Sequence, residues 1–175
     1  MKKLLISTLC VSALALVACD KKTDVHSTTT ESSAVTASAP VSYSDNNIAD
    51  MRHDIEQIQK LSNEKAQDAL KFQTDVTQSA QSGDKEALEK VIQQMSTFVG
   101  EFNQSLDTLS LKSTEGDKIR NQMKEVNNIS IELVESSMTT PPNIEKVTTL
   151  QKKSVEIQQE LLKEMQEIQT KISAK

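Results

Sequence analysis

The sequence has few of the residue types on which enzymes and metal centres depend. Its 175 residues include two Cys, two His, one Tyr, three Phe and no Trp. Both Cys lie ahead of residue 20, so the rest of the chain has no thiol for a disulfide bond, a metal site or a nucleophile. It also has no Gly-rich phosphate-binding loop. These absences predict that the protein is not an enzyme and has no cofactor.

The sequence also has fewer basic than acidic residues. The chain has 20 Lys and Arg against 25 Asp and Glu, which gives a net charge of −5. Proteins that bind nucleic acids collect basic residues on one face, whereas here both signs are mixed along every segment. The composition therefore predicts no nucleic-acid partner.

His53 is the only histidine within the region predicted to fold. Asp50 and Glu56 lie three residues before and after it, so a helix would place all three side chains near one another. A di-iron bundle needs two Glu-x-x-His motifs, and this chain has one imperfect copy. At about 100° per residue, His53 also points away from the side of Met51 and Ile55 and towards water. We therefore predict no metal site.

The sequence also lacks the residues that a haem site needs. Covalent haem attachment needs Cys-x-x-Cys-His, which does not occur, and an axial pair could only join His53 to a residue such as Met165. Thioether side chains fill apolar cores well, and the methionines of the region lie at or near apolar stripes. We therefore predict a core role for them: Met51, Met95, Met123, Met138 and Met165.

The N-terminus has the three-part form of a secretory signal. Met1-Lys2-Lys3 is basic, Leu4 to Ala15 is apolar, and Leu16-Val17-Ala18-Cys19 follows. The apolar run is about 15 residues long with these last residues included, while a membrane-spanning helix needs about 20. An aliphatic residue, two small residues and then Cys resemble the signal of a bacterial lipoprotein. The alternative is an ordinary cleaved signal.

This resemblance covers residues 1–19 and implies that Cys19 is lipidated. In that family the Cys sulfur receives diacylglycerol, cleavage precedes the Cys, and its new amine is often acylated. Two or three acyl chains hold a protein at a membrane almost permanently. The implied location is the cell envelope, facing the periplasm or the cell surface. Asp20 resembles a signal for retention in the inner membrane, but inner and outer membrane both remain open.

Composition divides the mature chain into two regions. Residues 19–47 combine Cys19 with a stretch in which Ser and Thr occupy 11 of the 28 positions from 20 to 47. Such a segment buries too little apolar surface to offset the entropy of ordering it. The sequence therefore predicts a signal peptide over residues 1–18, a disordered tether over 19–47 and a folded domain over 48–175.

Apolar residues in the predicted domain recur every three or four positions, which predicts helices. Ser82-Gly83-Asp84, Ser113 or Thr114, and Thr140-Pro141-Pro142 supply end and start signals. The first predicted helix runs from Ile48 to the Ser82-Gly83-Asp84 stop, and the second from about Asp84 to Leu111. The third follows a cap at Ser113 or Thr114 and ends near Met138, and the fourth runs from Thr140-Pro141-Pro142 to about Ser173. Short connections place consecutive helices antiparallel.

The predicted fold is thus all-α, an antiparallel up-down-up-down four-helix bundle. Helices one and four are the longer pair, so we expect their extra length at the tethered end, where Met51 and Ile55 would cover Met165, Ile168 and Ile172. Extended helical hairpins or a coiled-coil oligomer are the main alternative. A solenoid of helical pairs is a weaker one, based on Gly-Asp-Lys at residues 83–85 and 116–118.

Two functions fit this architecture. The first is a non-catalytic interaction or scaffold module of the cell envelope, anchored to a membrane through Cys19, whose partner is another envelope protein or the cell wall. The alternative is a periplasmic carrier that holds a small ligand or cofactor between its helices. Few polar residues lie on the apolar stripes, which favours a plain core and the first function.

Overall fold

The computed structural model describes residues 42–82, 85–139 and 141–174, and these residues form four helices. This architecture confirms the all-α, four-helix prediction. Residues 1–41, which include Cys19 and most of the predicted tether, lie outside the described residues. The helices are α1 (Ile48–Ser82), α2 (Lys85–Asp107), α3 (Thr114–Met138) and α4 (Ile144–Ser173).

Two predicted helix ends were wrong, and side-chain caps explain one of them. Pro141 and Pro142 were expected to begin α4, but Asn143 is the N-cap, and its side chain accepts a hydrogen bond from the Lys146 backbone N–H at 3.0 Å. The helix therefore begins at Ile144. α2 stops at Asp107, before the predicted Leu111, because residues 108–112 form an irregular connection.

Consecutive helices pack side by side, and α1 also meets both α3 and α4. Three ion pairs join α3 to α4: Lys118 with Glu164, Lys146 with Glu132 at 3.4 Å, and Lys153 with Glu125 at 2.7 Å. Their lysines are about half exposed or more, so each pair contributes little to stability. Apolar burial must supply most of it.

The main core lies at one end of the bundle, where all four helices contribute. The predicted packing of Met51 and Ile55 against α4 is confirmed, with Ile172 packed at the edge. A second cluster of Ile129, Leu150 and Ile157 joins only α3 and α4. The main core consists of Met51, Ile55, Ile58, Leu106, Leu111, Ile119, Met123, Leu161, Met165 and Ile168.

The chain ahead of α1 packs against this core end. Ser44 forms an isolated parallel β-bridge with Ser113: its N–H donates to the Lys112 carbonyl at 2.8 Å, and its carbonyl accepts from the Thr114 N–H at 2.9 Å. Tyr43 lies against the main core. The packed region therefore starts before Ile48, the boundary predicted from the sequence.

Gly100 lies in an exposed turn of α2 and leaves the helix continuous. A Cβ added there would meet nothing within 4 Å, so no close helix contact requires glycine. Within the described part of the chain, none of the helices combines the length and apolar character needed to cross a bilayer.

Candidate functional site

The most constrained polar group in the described structure is the carboxylate of Asp54, which is fully buried. Asp54 lies nearly two turns into α1 and faces the connection between α2 and α3. Its Oδ2 accepts from the Ser113 N–H at 2.7 Å and from the Ser113 hydroxyl at 2.6 Å. The Lys112 N–H reaches both oxygens, at 2.9 and 3.0 Å. The carboxylate thus fixes α1 to the start of α3.

Ser113 and Gly116 explain why a carboxylate fits there. Ser113 is the N-cap of α3, and its Oγ accepts from the Gly116 N–H at 3.0 Å while it donates to Asp54. A helix N-terminus exposes unpaired N–H groups and the positive end of the helix dipole, which favours an anion. Gly116 has no Cβ, and one placed there would come closer than 3.0 Å to Asp54. The anion site of α3 is therefore occupied by a side chain of the same protein.

The hydrogen bonds of Asp54 define its chemistry. Each oxygen already accepts from at least two donors, counting His53 on Oδ1. A general base or a metal ligand needs a free lone pair directed at the reacting atom or the ion. The fully buried Asp54 has no solvent-facing oxygen, so the arrangement holds two helices together and offers no reaction centre.

His53 lies at the edge of this site with its side chain 38% exposed. Its Nδ1 is 3.1 Å from Asp54 Oδ1, and its Nε2 is 2.9 Å from Gln57 Nε2. A proton on Nδ1 lets the ring donate to Asp54 and accept from Gln57. His53 was predicted to turn away from the core. Its ring is partly exposed, in line with this prediction, but its contacts with Asp54 and Gln57 also hold the ring in place.

The neighbours of His53 in the sequence do not gather around it. The Ser44 hydroxyl donates to Asp50 at 2.7 Å, Arg52 donates to the Ile172 carbonyl at 3.2 Å, and Glu56 is exposed. Across the described residues, no three His, Cys, Asp or Glu side chains are grouped so that they could hold a metal ion. Met165, which a haem site would need to pair with His53, is packed in the main core.

Arg120 ties the segment before α1 to α3. Its Nη2 donates to the Tyr43 hydroxyl at 2.9 Å, and the same group pairs with Asp117. Burial lowers the pKa of Arg120, but the hydrogen bond to Tyr43 and the charge of Asp117 outweigh this effect and leave the pKa above its ordinary value. The guanidinium is therefore charged at every relevant pH and acts as a fixed clamp.

A groove of about 580 Å³ runs along the surface between α1 and α2. Phe72 and Phe98 line it, with ring centroids 5.0 Å apart, and Lys65 lies 5.8 Å above the Phe98 ring. The groove is open to solvent and is also lined by charged side chains such as Asp68 and Lys90. A ligand carrier needs a concave site that encloses most of its ligand, and this groove does not enclose one.

Sequence reasoning missed Asp54, although a signal was present. Asp54 follows Met51 by three residues and precedes Ile58 by four, so it falls on the apolar stripe of α1. A carboxylate at a stripe position predicts a buried, hydrogen-bonded group. The one residue that sequence reasoning did name as a modified site, Cys19, is outside the described residues.

Comparison with known proteins identifies a family. No curated protein and no solved structure matched the chain. One family model, described as "Uncharacterised lipoprotein PM1805", matches residues 52–173, which cover most of α1 and all of α2, α3 and α4. The match excludes the N-terminal signal, so it supports a lipoprotein independently of Cys19. Since it spans more than half of the sequence, the chain belongs to this lipoprotein family.

Proposed function

We propose that the protein is a lipid-anchored, non-catalytic interaction module of the cell envelope, attached to a membrane through Cys19. The observation that carries the proposal is the agreement of two separate regions. Residues 52–173 belong to a lipoprotein family, and Leu16-Val17-Ala18-Cys19 has the form of a lipoprotein signal. The proposed modification is diacylglycerol on the Cys19 sulfur with an acyl chain such as palmitate on the amine, and the helices face the periplasm or the cell surface.

The polar groups of the described structure support a binding role in place of catalysis. Asp54 is the only fully buried carboxylate among the described residues, and its oxygens are used by Lys112, Ser113 and His53. The core clusters are otherwise aliphatic side chains and methionines. Function then depends on the outer faces of the helices, whose partner we propose to be an envelope protein or the cell wall.

Metabolic labelling with a palmitate analogue tests the anchor. The unmodified protein should take up label and remain with membranes, and Cys19→Ser should do neither because the acceptor sulfur is gone. Cys10→Ser is the matched control: it removes the other thiol but leaves the cleavage site, so labelling should persist. Label retained by Cys19→Ser, or lost only in Cys10→Ser, contradicts the proposal.

Thermal unfolding in the presence of a chelator tests the absence of a bound metal. The melting temperature should not change with chelator, because removal of a ligand changes stability only when that ligand binds the folded state. The purified protein should also show no visible absorption band, since we propose that it binds no haem. A chelator-induced fall of several degrees contradicts this part of the proposal.

A further inference from the structure

One side of α4 is exposed and carries no charge along the whole helix. At about 100° per residue, its positions fall within roughly 80° of the helix circumference, although 26% of the chain is charged. All of them are exposed. We name this set the uncharged strip: Ile144, Thr148, Gln151, Val155, Gln159, Leu162, Gln166 and Gln169.

The uncharged strip also concentrates exposed apolar surface. Ile144 is 67% exposed, Val155 52% and Leu162 48%, and they are three of the four large apolar side chains exposed in the described residues. Val155 and Leu162 are seven residues apart, so they lie one above the other on the same face. An exposed helix face normally carries charged residues. Apolar residues among glutamines instead form a narrow surface that another helix can cover.

The charged residues beside the uncharged strip indicate that the helix covering it is α4 of a second copy. Lys152, Glu156, Lys163 and Glu167 lie along one edge of it, all more than half exposed, in two intrahelical pairs at 3.8 and 3.9 Å. Place a second α4 antiparallel against the first, with a twofold axis between Gln159 and Glu160. The same edges of the two helices then meet, Lys152 comes opposite Glu167 of the second copy, and Glu156 comes opposite its Lys163. Both contacts join opposite charges.

The same register suits the apolar residues. Val155 would fit between Leu162 and Gln166 of the second copy, and Gln159 would lie next to the axis, facing its own counterpart. A parallel twofold pair would instead place the two charged edges on opposite sides of the interface, where they form no ion pairs with each other. We infer that the uncharged strip of α4 binds a second copy of this chain, in antiparallel orientation, to form a twofold-symmetric dimer.

The dimer is compatible with the proposed membrane anchor at Cys19. This inference rests on the proposed function, because attachment to the membrane strengthens the association of the two copies. The 30-residue α4 is about 45 Å long, and an antiparallel pair places the two Ser42 residues, the first that the structure describes, towards opposite ends. The chain between Cys19 and Ser42 can extend up to about 75 Å, so both anchors can enter one membrane. A single helix pair gives a small interface. Attachment to one membrane raises the effective concentration and favours the dimer.

Disulfide crosslinking of the full chain in its membrane tests the dimer. Gln159→Cys lies beside the twofold axis and should give a disulfide-linked dimer on a non-reducing gel. Thr148→Cys is the matched control, equally exposed on the same strip, and should not, because its counterpart lies near the opposite end of the pair. The unmodified chain measures any background from Cys10 and Cys19.

Charge reversal gives a second readout. Glu156→Lys should lower the association constant about fivefold, since two symmetry-related pairs become repulsive, and adding Lys163→Glu should restore the Gln159→Cys crosslink. Efficient crosslinking of Thr148→Cys indicates a parallel pair and overturns the inference, as does a Gln159→Cys crosslink to another protein or none at all. The two proposals can be told apart: loss of palmitate labelling would contradict the anchor alone, whereas loss of the Gln159→Cys crosslink in a labelled protein would contradict the dimer alone.

Discussion

Gly116 in α3 lies against the carboxylate of Asp54 in α1, and the gap between them has no room for a methyl group: a Cβ on residue 116 would come closer than 3.0 Å to three atoms of Asp54. Because Asp54 is itself held by Lys112 and Ser113, it cannot move aside without breaking those hydrogen bonds. The contact therefore sets the distance between two helices.

Gly116→Ala should destabilise the protein by about 2 kcal/mol, because it forces α1 and α3 apart. Gly100→Ala is the matched control: it is exposed in α2 with nothing within 4 Å, so it should stabilise by about 0.5–1 kcal/mol through lower backbone entropy of the unfolded chain. Urea unfolding followed by circular dichroism measures both. Equal effects of the two substitutions would show that the contact is not tight.

Asp54→Ala should cost about 3 kcal/mol or more, because it leaves the Lys112 and Ser113 donors buried without an acceptor. Asp50→Ala, which removes a half-buried carboxylate with one bond from Ser44, should cost no more than about 1 kcal/mol. Hydrogen exchange identifies the cause. The Lys112 and Ser113 amides should exchange faster in Asp54→Ala and at their usual rate in Asp50→Ala.

These residues also show where sequence reasoning succeeds and where it stops. The spacing of Met51, Ile55 and Ile58 is a local pattern, and it correctly placed α1 and one side of the core. Asp54 lies in the same pattern, but its partners are backbone N–H groups 58 and 59 residues later. A helical period contains no information on the partners of such a contact, so the link that Asp54 makes between α1 and the start of α3 was not predicted.

Helix ends were predicted less well than helix faces for a similar reason. Pro141 and Pro142 suit the first positions of a helix, but a following Asn143 that can cap the helix makes a start at Ile144 more favourable. The segment at Tyr43 and Ser44 was assigned to the tether by composition, while its order depends on Arg120 and Ser113, which are distant in the sequence.

Removal of the segment before α1 should weaken the domain. A chain that starts at Ser42 keeps the β-bridge of Ser44 and the hydrogen bond from Arg120 to Tyr43, whereas one that starts at Asn47 loses both but keeps the Asn47 side-chain cap of α1. The shorter chain should be less stable by about 2 kcal/mol. Equal denaturant midpoints would show that the segment only lies on the surface.

The ion pair of Lys118 and Glu164 predicts a pH effect. The hydrogen bond to Glu164 raises the pKa of Lys118 above its ordinary value, and partial burial offsets some of this rise. The pair therefore contributes stability below the ordinary lysine pKa of about 10.4, and this contribution is lost as pH rises through the folded-state pKa. Because Lys118 is 63% exposed, solvent screening limits the contribution to about 0.5 kcal/mol.

Lys118→Gln should thus lower the denaturant midpoint slightly at pH 7 and match the unmodified protein once the pH exceeds the raised folded-state pKa of Lys118, where lysine is neutral in both states. Lys85→Gln, which removes a more exposed pair with Glu89 at 3.7 Å, should have a smaller effect at pH 7. A difference for Lys118→Gln that stays constant through this pH range would assign the effect to packing and not to charge.

Stability should fall along α1 from the core end to the far end. Met51, Ile55 and Ile58 are buried among all four helices, while from position 59 onward no side chain of α1 that the structure describes is buried, and Leu70 is 57% exposed. Ile58→Ala should therefore cost about 3 kcal/mol, the usual loss for a buried aliphatic side chain. Leu70→Ala should cost less than about 0.5 kcal/mol. Amide exchange should show the same gradient, because local opening needs less free energy where less apolar surface is buried. Slow exchange that is uniform from Met51 to Leu70 would show that the far half of α1 is held as firmly as the core end.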